Sequence, residues 1–428
     1  MMIIITRLIN SVRIIFIFLF ILVSVPYAQT RGDSDQKTGS NLFEKNIFPI
    51  ADSLDCYISF RIPFNRLIFI KSNETFSSGV QLDFELKENN RLLQRKTFSK
   101  KVSANSYEES NSGDKYLEGF VKFRIDNKNH VISPTLQIDN TNQLIQLDSI
   151  LINAYRMFQN QFVYPVVVEK LSNNCADEGQ YRLVNQKNNI PFSSSDYSLL
   201  IPVISDSIKE ISLKLEQDGI VIFEQKLEIN NSSLRIIDCD GSPILASVDN
   251  GKQTSYFIVD NFNKELKEGP VQVIISNQSE VAKFNMNVEW INKPFTLSNP
   301  NLAVELLEII YDRKDILELY KKKNEEKYKS LVDFWNNKLP DRKYAFNELM
   351  NEFYKRADYA AQNFSTLANP NGAKTDRGRI YIRYGMPDDT KRDYTSSKSV
   401  VEIWYYKDLK KEFIFTDKTG LGNYTLGD

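Results

Sequence analysis

Histidine and cysteine are scarce in this sequence, whose 428 residues include one histidine, His130, and three cysteines, Cys56, Cys175 and Cys239. So few ligands argue against zinc sites and against Ser-His-Asp or Cys-His catalysis. Neither sign of charge dominates, because 54 Lys and Arg residues face 55 Asp and Glu residues. A nucleic-acid-binding protein needs a concentrated basic surface, and nucleotide enzymes carry a glycine-rich phosphate loop that this chain lacks. We therefore expect no metal site, no cofactor and no nucleic-acid partner.

The N-terminal segment, residues 1–28, has the pattern of a secretory signal peptide. Arg7 and Arg13 precede the apolar stretch Ile14–Val23, and the small residue Ala28 follows it. This stretch is shorter than the ~20 residues that a membrane-spanning helix needs, which favours a cleaved signal over a permanent anchor. No second apolar stretch of that length follows. The sequence thus predicts an exported protein, in the periplasm or outside the cell, with no transmembrane segment after signal removal.

The next part of the chain is predicted to consist of β-rich domains. Residues 29–47 are polar and predict a linker. Short strands with period-two alternation follow in residues 48–153 and again in residues 154–295, which indicates tandem all-β sandwich domains of Ig-like type with one solvent-exposed sheet face. Asp218-Gly219 lies between two such strands and predicts a tight hairpin turn. Whether these blocks form two sandwiches or three smaller ones stays open at this level.

Export permits disulfide bonds, but three cysteines cannot all pair. Cys175 and Cys239 lie in the same block and are the better partners. The alternative is that all three cysteines are small buried apolar residues.

The last segment, residues 296–428, predicts a C-terminal α+β domain. Apolar residues recur at helical spacing, and the longest helix is expected at about 342–366. Alternating β-branched and aromatic residues after it predict a small antiparallel sheet. We expect residues 376–384 to begin this sheet as a strand, although a helix there stays possible. In the strand that contains Trp404, Tyr405 and Tyr406, alternation places Tyr405 opposite the other two side chains.

This C-terminal segment resembles the GWxTD domain proteins, a family of exported bacterial proteins without an established activity. The matching pieces are Phe334-Trp335 followed by Pro340, Asn347-Glu348, Tyr354, Arg356, Tyr359, Ala360, Thr375 to Arg379, Tyr384-Gly385, Pro387-Asp388, Trp404 to Tyr406, Phe413, Phe415 and Asp417. Two positions depart from the family pattern: Ala373 replaces the signature tryptophan, giving GAKTD, and Leu339 replaces an acidic residue. The resemblance implies the α+β architecture and preceding β-rich domains, but no mechanism.

A group of charged and aromatic side chains in this domain forms the candidate binding site. Its members are Asp376, Arg377, Arg383, Asp388, Glu348, Arg356 and Tyr405. Carboxylates paired with arginines can bind an anion, hold a cation or perform acid–base chemistry. Each residue also has a structural interpretation: Asp376 and Asp388 as turn or cap residues, the arginines as polar residues on an exposed sheet face, and Glu352–Arg356 as a helical ion pair. No catalytic residue and no metal ligand is assigned.

Two functions follow from these features. In the first, the chain is a non-catalytic envelope or secreted protein whose β-domains are spacers and whose C-terminal domain binds a protein partner, another envelope protein. In the second, the C-terminal domain is a small-ligand-binding or hydrolytic site built from the clustered Asp and Arg residues. Carbohydrate binding by the sandwiches is a further alternative. Enzymatic activity is left open, and the absence of a catalytic constellation favours the first function.

Overall fold

The computed structural model describes residues 42–50, 52–72, 74–113, 115–141, 143–172, 175, 178–184, 189–205, 207–248, 253–278, 280–394 and 399–427. The predicted signal peptide and most of the predicted linker lie outside this part of the chain. Within it, the chain forms two β-sandwiches followed by an α+β region. The predicted fold class is confirmed. In the described part of the chain, no helix combines the length and the apolar character required to cross a membrane.

The first sandwich contains strands β1 to β9. Their bounds are Phe43–Ile50, Ser53–Pro63, Ile70–Ser72, Thr75–Glu88, Arg91–Ala104, Tyr116–Ile125, Asn129–Ile138, Leu144–Gln146 and Ile150–Asn153. Short helices α1, Tyr107–Ser110, and α2, Ala154–Asn160, lie between and after them. Sheet A has the order β1-β2-β6, and sheet B contains β3-β4-β7-β8, with β5 paired to β4 and β9 to β7. Residues 43–47 therefore belong to a strand and not to the linker, because the apolar Phe43 and Ile47 pair with β2.

The second sandwich contains strands β10 to β21. Their bounds are Val166–Lys170, Glu178–Leu183, Asn189–Pro191, Ser198–Val203, Glu210–Gln217, Ile220–Glu228, Asn230–Ser232, Leu234–Cys239, Ser242–Ser247, Thr254–Asp260, Gly269–Ser276 and Val281–Glu289. Sheet C has the order β16-β19-β13-β10-β11-β18-β17, and sheet D has the order β12-β21-β20-β14-β15. The predicted hairpin at Asp218-Gly219 joins β14 to β15, and both turn residues have positive φ, 51° and 76°.

The four sheets stack in the order B, A, C, D. Neighbouring residues of one strand point into different cores: Ile58 of β2 packs toward sheet B, whereas Tyr57 packs toward sheet C. In β13, Leu199 packs toward sheet D and Leu200 toward sheet A. Both central sheets are thus buried on both faces, which requires continuous apolar runs such as the fully buried β13. The prediction of one solvent-exposed face is wrong for sheets A and C, because the two sandwiches cover each other there.

Two of the three cysteines form a disulfide, and the third is a free thiol. Cys175 and Cys239 form a disulfide with their Cα atoms 5.8 Å apart. Cys56 is a free, fully buried thiol in the first sandwich, and burial raises its pKa to about 12. The disulfide considered between Cys175 and Cys239 is therefore present, and only Cys56 is a small buried residue without a covalent partner.

The C-terminal region contains helices α3 to α7 and strands β22 to β25. The helices are Pro300–Leu306, Leu317–Lys321, Asn324–Lys338, Glu348–Asn363 and Asp376–Tyr384, with 3₁₀ turns at Phe295–Ser298, Leu307–Ile309, Arg313–Ile316 and Gly372–Lys374. The strands are Asp389–Tyr394, Val400–Tyr406, Lys411–Asp417 and Thr425–Leu426, in the order β22-β23-β24-β25, and form sheet E. Helix α6 is shorter than predicted because Asn347 caps it, its Oδ1 accepting from the Met350 N–H at 3.0 Å.

Residues 376–384 form helix α7, so the predicted strand is wrong. Thr375 supplies the N-cap, and its Oγ1 accepts a hydrogen bond from the Gly378 N–H at 3.1 Å. Helical spacing places Gly378 and Ile382 on the buried face of α7. Thr375 and Asp376, for which a turn or a cap at the start of a strand is predicted, therefore begin a helix. Gly385, with φ of 85°, ends the helix.

Candidate functional site

The GAKTD segment joins α6 to α7 through a tight backbone contact. Two glycines at this contact, Gly372 in the segment and Gly378 in α7, leave no room for a side chain. A Cβ on Gly372 would lie 2.2 Å from the Ala360 carbonyl oxygen, and a Cβ on Gly378 would lie 1.9 Å from the Gly372 carbonyl oxygen. Thr375 Oγ1 also donates to the Gly372 carbonyl oxygen at 2.7 Å. Glycine and threonine at these positions therefore set the approach of the two helices.

Asp376 and Arg377 connect the start of α7 to the end of the chain. Asp376 Oδ2 accepts a hydrogen bond from the Leu426 N–H at 2.9 Å, which ties strand β25 to the helix. The Arg377 guanidinium lies 4.0 Å from the ring centroid of Tyr424 and 5.2 Å from that of Phe364. Both side chains thus hold sheet E against α7, and the expectation that Arg377 lies on an exposed sheet face is wrong because it lies on a helix that packs on the sheet.

A buried carboxylate, Glu402 of β23, lies at the centre of this contact and is absent from the predicted set. Its Oε2 accepts from Arg392 Nη2 at 2.8 Å and lies 3.5 Å from Arg377 Nη1, and its Oε1 accepts from Trp404 Nε1 at 2.7 Å. Burial raises the pKa of Glu402, but the hydrogen bonds from Arg392 and Trp404 and the charge of Arg377 outweigh burial and leave this pKa below its usual value. Alternation in the strand could have revealed it, since Glu402 shares the inward face of Trp404 and Tyr406.

Asp388 and Tyr405 are neighbours at the turn between α7 and sheet E. The Asp388 N–H donates to the Tyr405 carbonyl oxygen at 2.9 Å, and Asp388 Oδ2 accepts from the Lys407 N–H at 2.6 Å. The carboxylate of Asp388 is therefore used to close a turn, as its structural interpretation predicts. The Tyr405 side chain points away from the buried Trp404 and Tyr406, which confirms the predicted alternation.

The remaining predicted residues lie along α6 and at the end of α7. Arg356 Nε donates to Glu352 Oε1 at 2.6 Å, which confirms the predicted helical ion pair. The Arg356 guanidinium also packs against Gly385, where a Cβ would lie 3.1 Å from its Cζ. Glu348 is exposed in the first turn of α6, and Arg383 is exposed in the last turn of α7 and not on a sheet face. Glu348 precedes Arg356 by eight residues, about 12 Å along a helix axis.

None of these seven residues lines the cavity of about 250 Å³ that lies between the second sandwich and helices α5 and α6. The carboxylates of Asp376 and Asp388 accept backbone hydrogen bonds, and Arg356 and Arg377 form an ion pair and aromatic contacts. The structure thus brings together Asp376 with Arg377, and Asp388 with Tyr405, as two separate contacts at opposite ends of α7.

Comparison with known proteins gives one family match. The family model of the GWxTD domain matches residues 271–426. This region of the chain is similar to the GWxTD domain, and we call residues 271–426 the GWxTD domain below. The predicted resemblance is confirmed, and the match begins earlier than predicted, within β20 of the second sandwich. A comparison with curated proteins finds no match. A solved structure of titin Ig tandem domains is similar at 11% identity, over 58% of this chain and 95% of that chain, with a TM-score of 0.14 that supports no argument.

In this GWxTD domain the signature position is occupied by a small buried residue. Ala373 has no exposed surface and packs in the apolar core formed by the helices. Its neighbours in the motif keep structural roles, because Gly372 and Thr375 build the α6–α7 junction and Asp376 holds β25. The departure from the family pattern therefore affects a core position and leaves these contacts in place.

The outer face of sheet E in the GWxTD domain carries an apolar surface. We call Val401, Ile403, Tyr405 and Ile414 the outer patch. Register places Ile403 directly opposite Ile414, so their side chains share a face, and Ile414 is 41% exposed. The other face of the sheet packs on α7 through Trp404, Tyr406 and Phe415.

Charged residues surround the outer patch on the neighbouring strands. Lys391 lies opposite Ile403, and Asp389 and Glu412 lie opposite Tyr405 on either side. All three are exposed. An apolar centre with a charged rim is the composition of a protein-docking surface.

Proposed function

We propose that this chain is an exported, non-catalytic protein whose GWxTD domain docks onto another envelope protein through the outer patch. The observation that carries the proposal is the difference between the two faces of sheet E. Its charged residues on the α7 side hold the fold together, whereas its other face presents apolar side chains to solvent within a charged rim. Such a face suits recognition of a protein surface better than chemistry on a small molecule.

Export is supported by two independent features. The predicted signal peptide supplies the route, and the Cys175–Cys239 disulfide is of the kind that persists in oxidising compartments. The periplasm and the extracellular space both meet this condition.

The two sandwiches serve in this proposal as a rigid support for the GWxTD domain. Tyr57 and Phe48 of sheet A share an apolar core with Val168 and Leu200 of sheet C. Aromatic contacts between Phe192, Trp290 and Phe346, at centroid distances of 5.1 to 5.8 Å, continue the packing into the helices. This support would present the outer patch at a fixed orientation.

The alternative function, a ligand-binding or hydrolytic site, would need the predicted carboxylates and arginines to share a cavity. Asp376 and Asp388 instead accept hydrogen bonds from backbone N–H groups of Leu426 and Lys407. The cavity described above is lined by other residues. These contacts favour the docking proposal.

The Ile403→Asp variant tests the outer patch. A charge at its centre should abolish recovery of a discrete partner after in-cell crosslinking of the tagged mature protein, because docking would bury an unpaired carboxylate. The readout is mass spectrometry of the purified adducts, with quantification of each partner relative to wild type.

The matched control is Ile220→Asp, since Ile220 is a 64%-exposed strand residue of the second sandwich. This variant should retain the partner, and thermal unfolding should show both variants folded. Equal recovery of the same partner from wild type and from folded Ile403→Asp would exclude the outer patch as the docking surface.

A further inference from the structure

A cavity of about 250 Å³ separates the second sandwich from the helices of the GWxTD domain. Its apolar walls come from Phe192 and Trp290 on the sandwich side and from Val332 of α5 and Met350 of α6. Pockets for drug-sized ligands enclose about 300–1,000 Å³, so this cavity suits a smaller molecule. Two aromatic walls at one end favour a single flat ring.

Of the two acidic residues that line this cavity, Glu268 and Asp333, the first is already neutralised. Glu268 is held by Lys293, whose Nζ lies 3.0 and 3.1 Å from the two carboxylate oxygens, and it accepts a hydrogen bond from the Tyr328 hydroxyl at 2.8 Å. Burial and the neighbouring Glu268 raise the pKa of Tyr328, so this hydroxyl stays protonated and donates. Glu268 therefore does not require a cationic ligand.

Arg342 is a cavity residue with a buried, unpaired donor. Its Nη1 makes long contacts of 3.5 and 3.4 Å to the Asn336 and Leu339 carbonyl oxygens at the end of α5. Its Nε is buried and, among the described residues, has no hydrogen-bond partner. A buried guanidinium N–H without an acceptor is rare and requires an explanation. Because Nε is itself inaccessible, an acceptor in the cavity would reach the guanidinium through a terminal amino group such as Nη1, whose two contacts are long.

The other polar groups of the cavity agree with an anionic ligand. Lys267 and Lys329 lie among its lining residues and are exposed, whereas Asp333 is the exposed acidic lining residue. With Glu268 paired, Arg342 and the two lysines exceed the remaining acidic charge. A carboxylate fits this balance, and arginine binds carboxylates through its planar N–H groups.

We propose that this cavity binds a carboxylate attached through a short chain to one aromatic ring, with the carboxylate at Arg342 and the ring against the wall formed by Phe192 and Trp290. Two sources share this chemistry: a free aromatic acid, and the C-terminal phenylalanine or tyrosine of a peptide. The site is separate from the outer patch, so the proposal goes beyond the docking function and does not depend on it.

Titration calorimetry of the folded mature protein with 3-phenylpropionate tests the proposal. We expect saturable binding, and binding at least tenfold weaker for 3-phenylpropanamide and for phenethylamine, because neither compound carries the carboxylate. Arg342→Gln should weaken 3-phenylpropionate binding at least tenfold. Arg313→Gln is the matched control, since the Arg313 side chain is 70% exposed, and should leave binding unchanged.

A second variant and a peptide ligand complete the test. Val332→Trp fills the cavity and should remove binding while Arg342 stays in place, which covers the case that Arg342→Gln fails to fold. An acetylated Gly-Gly-Phe peptide that binds more tightly than 3-phenylpropionate would identify a peptide C-terminus as the source, and a peptide that is excluded would identify a free acid. Absence of binding to wild type at millimolar 3-phenylpropionate, equal binding of the amide, or unchanged binding in folded Arg342→Gln would overturn the proposal.

Discussion

Replacing Gly378 by alanine is expected to destabilise the GWxTD domain by about 3 kcal/mol or more. Helix propensity alone predicts the opposite sign, because alanine is favoured over glycine in a helix interior by about 1 kcal/mol. The added Cβ would lie 1.9 Å from the Gly372 carbonyl oxygen and 2.9 Å from its carbonyl carbon. Both atoms belong to the backbone, so α7 would have to move away from the GAKTD turn and lose its packing on α6.

Urea unfolding monitored by circular dichroism measures this effect. Gly113→Ala is the control, because its Cβ would meet only the flexible Asn65 side chain, at 3.3 Å. The control should stay within about 0.5 kcal/mol of wild type. A Gly378→Ala protein as stable as wild type, or more stable, would show that the backbone contact between Gly378 and Gly372 is not as close as the 1.9 Å distance to an added Cβ implies.

Replacing Glu402 by alanine is expected to cost about 3 kcal/mol, because it leaves a buried cation without its partner. The Arg377 side chain is 12% exposed and the Glu402 side chain 10% exposed, so water screens this pair weakly. The Trp404 Nε1–H would also lose its acceptor. Glu412→Ala, on the exposed face of the same sheet, is the matched control and should change the free energy of unfolding by less than about 0.5 kcal/mol.

The same carboxylate predicts the direction of the pH dependence. The folded-state pKa of Glu402 lies below its usual value, so its contribution to stability is present above the unfolded-state pKa, about 4.3. This contribution is lost as the pH falls through the folded-state pKa. Asp417 acts in the same direction: burial raises its pKa, but the N–H groups of Gly422, Thr419 and Gly420 outweigh burial and lower it.

Urea unfolding as a function of pH should therefore show wild type losing stability below about pH 4, and Glu402→Gln losing less over the same range. Parallel curves for wild type and Glu402→Gln would contradict the assignment of Glu402 as an ionised, buried partner of Arg377 and Arg392.

The sequence predicts local features better than contacts between distant segments. The hairpin at Asp218-Gly219 and the Glu352–Arg356 ion pair follow from residues close in the chain, and both are confirmed. The double burial of sheet A could not be predicted from β2 alone. Its covering surface is formed by Leu200 and Ile236, more than 100 residues later.

The error at α7 has a different physical cause. The Ile-Tyr-Ile run has strand propensity and Gly378 disfavours a helix, but tertiary packing requires a glycine there because the helix contacts the GAKTD backbone. The Thr375 cap was visible in the sequence and indicated the correct structure. For the candidate site, Asp388 and Tyr405 were predicted to be adjacent to a turn and on an outward face. Glu402 was missed because its partners, Arg377 and Arg392, come from two other elements.

Site-specific photocrosslinking at Tyr405 tests the docking proposal most directly. A photoreactive phenylalanine analogue at this position, introduced into the exported protein in cells, should yield one discrete adduct with an envelope protein. The same analogue at Tyr107, which is 66% exposed on the first sandwich, should not yield that adduct. Docking through the outer patch predicts the adduct at position 405 and its disappearance when Ile403→Asp is added. No adduct at position 405, or the same adduct from both positions, would contradict it.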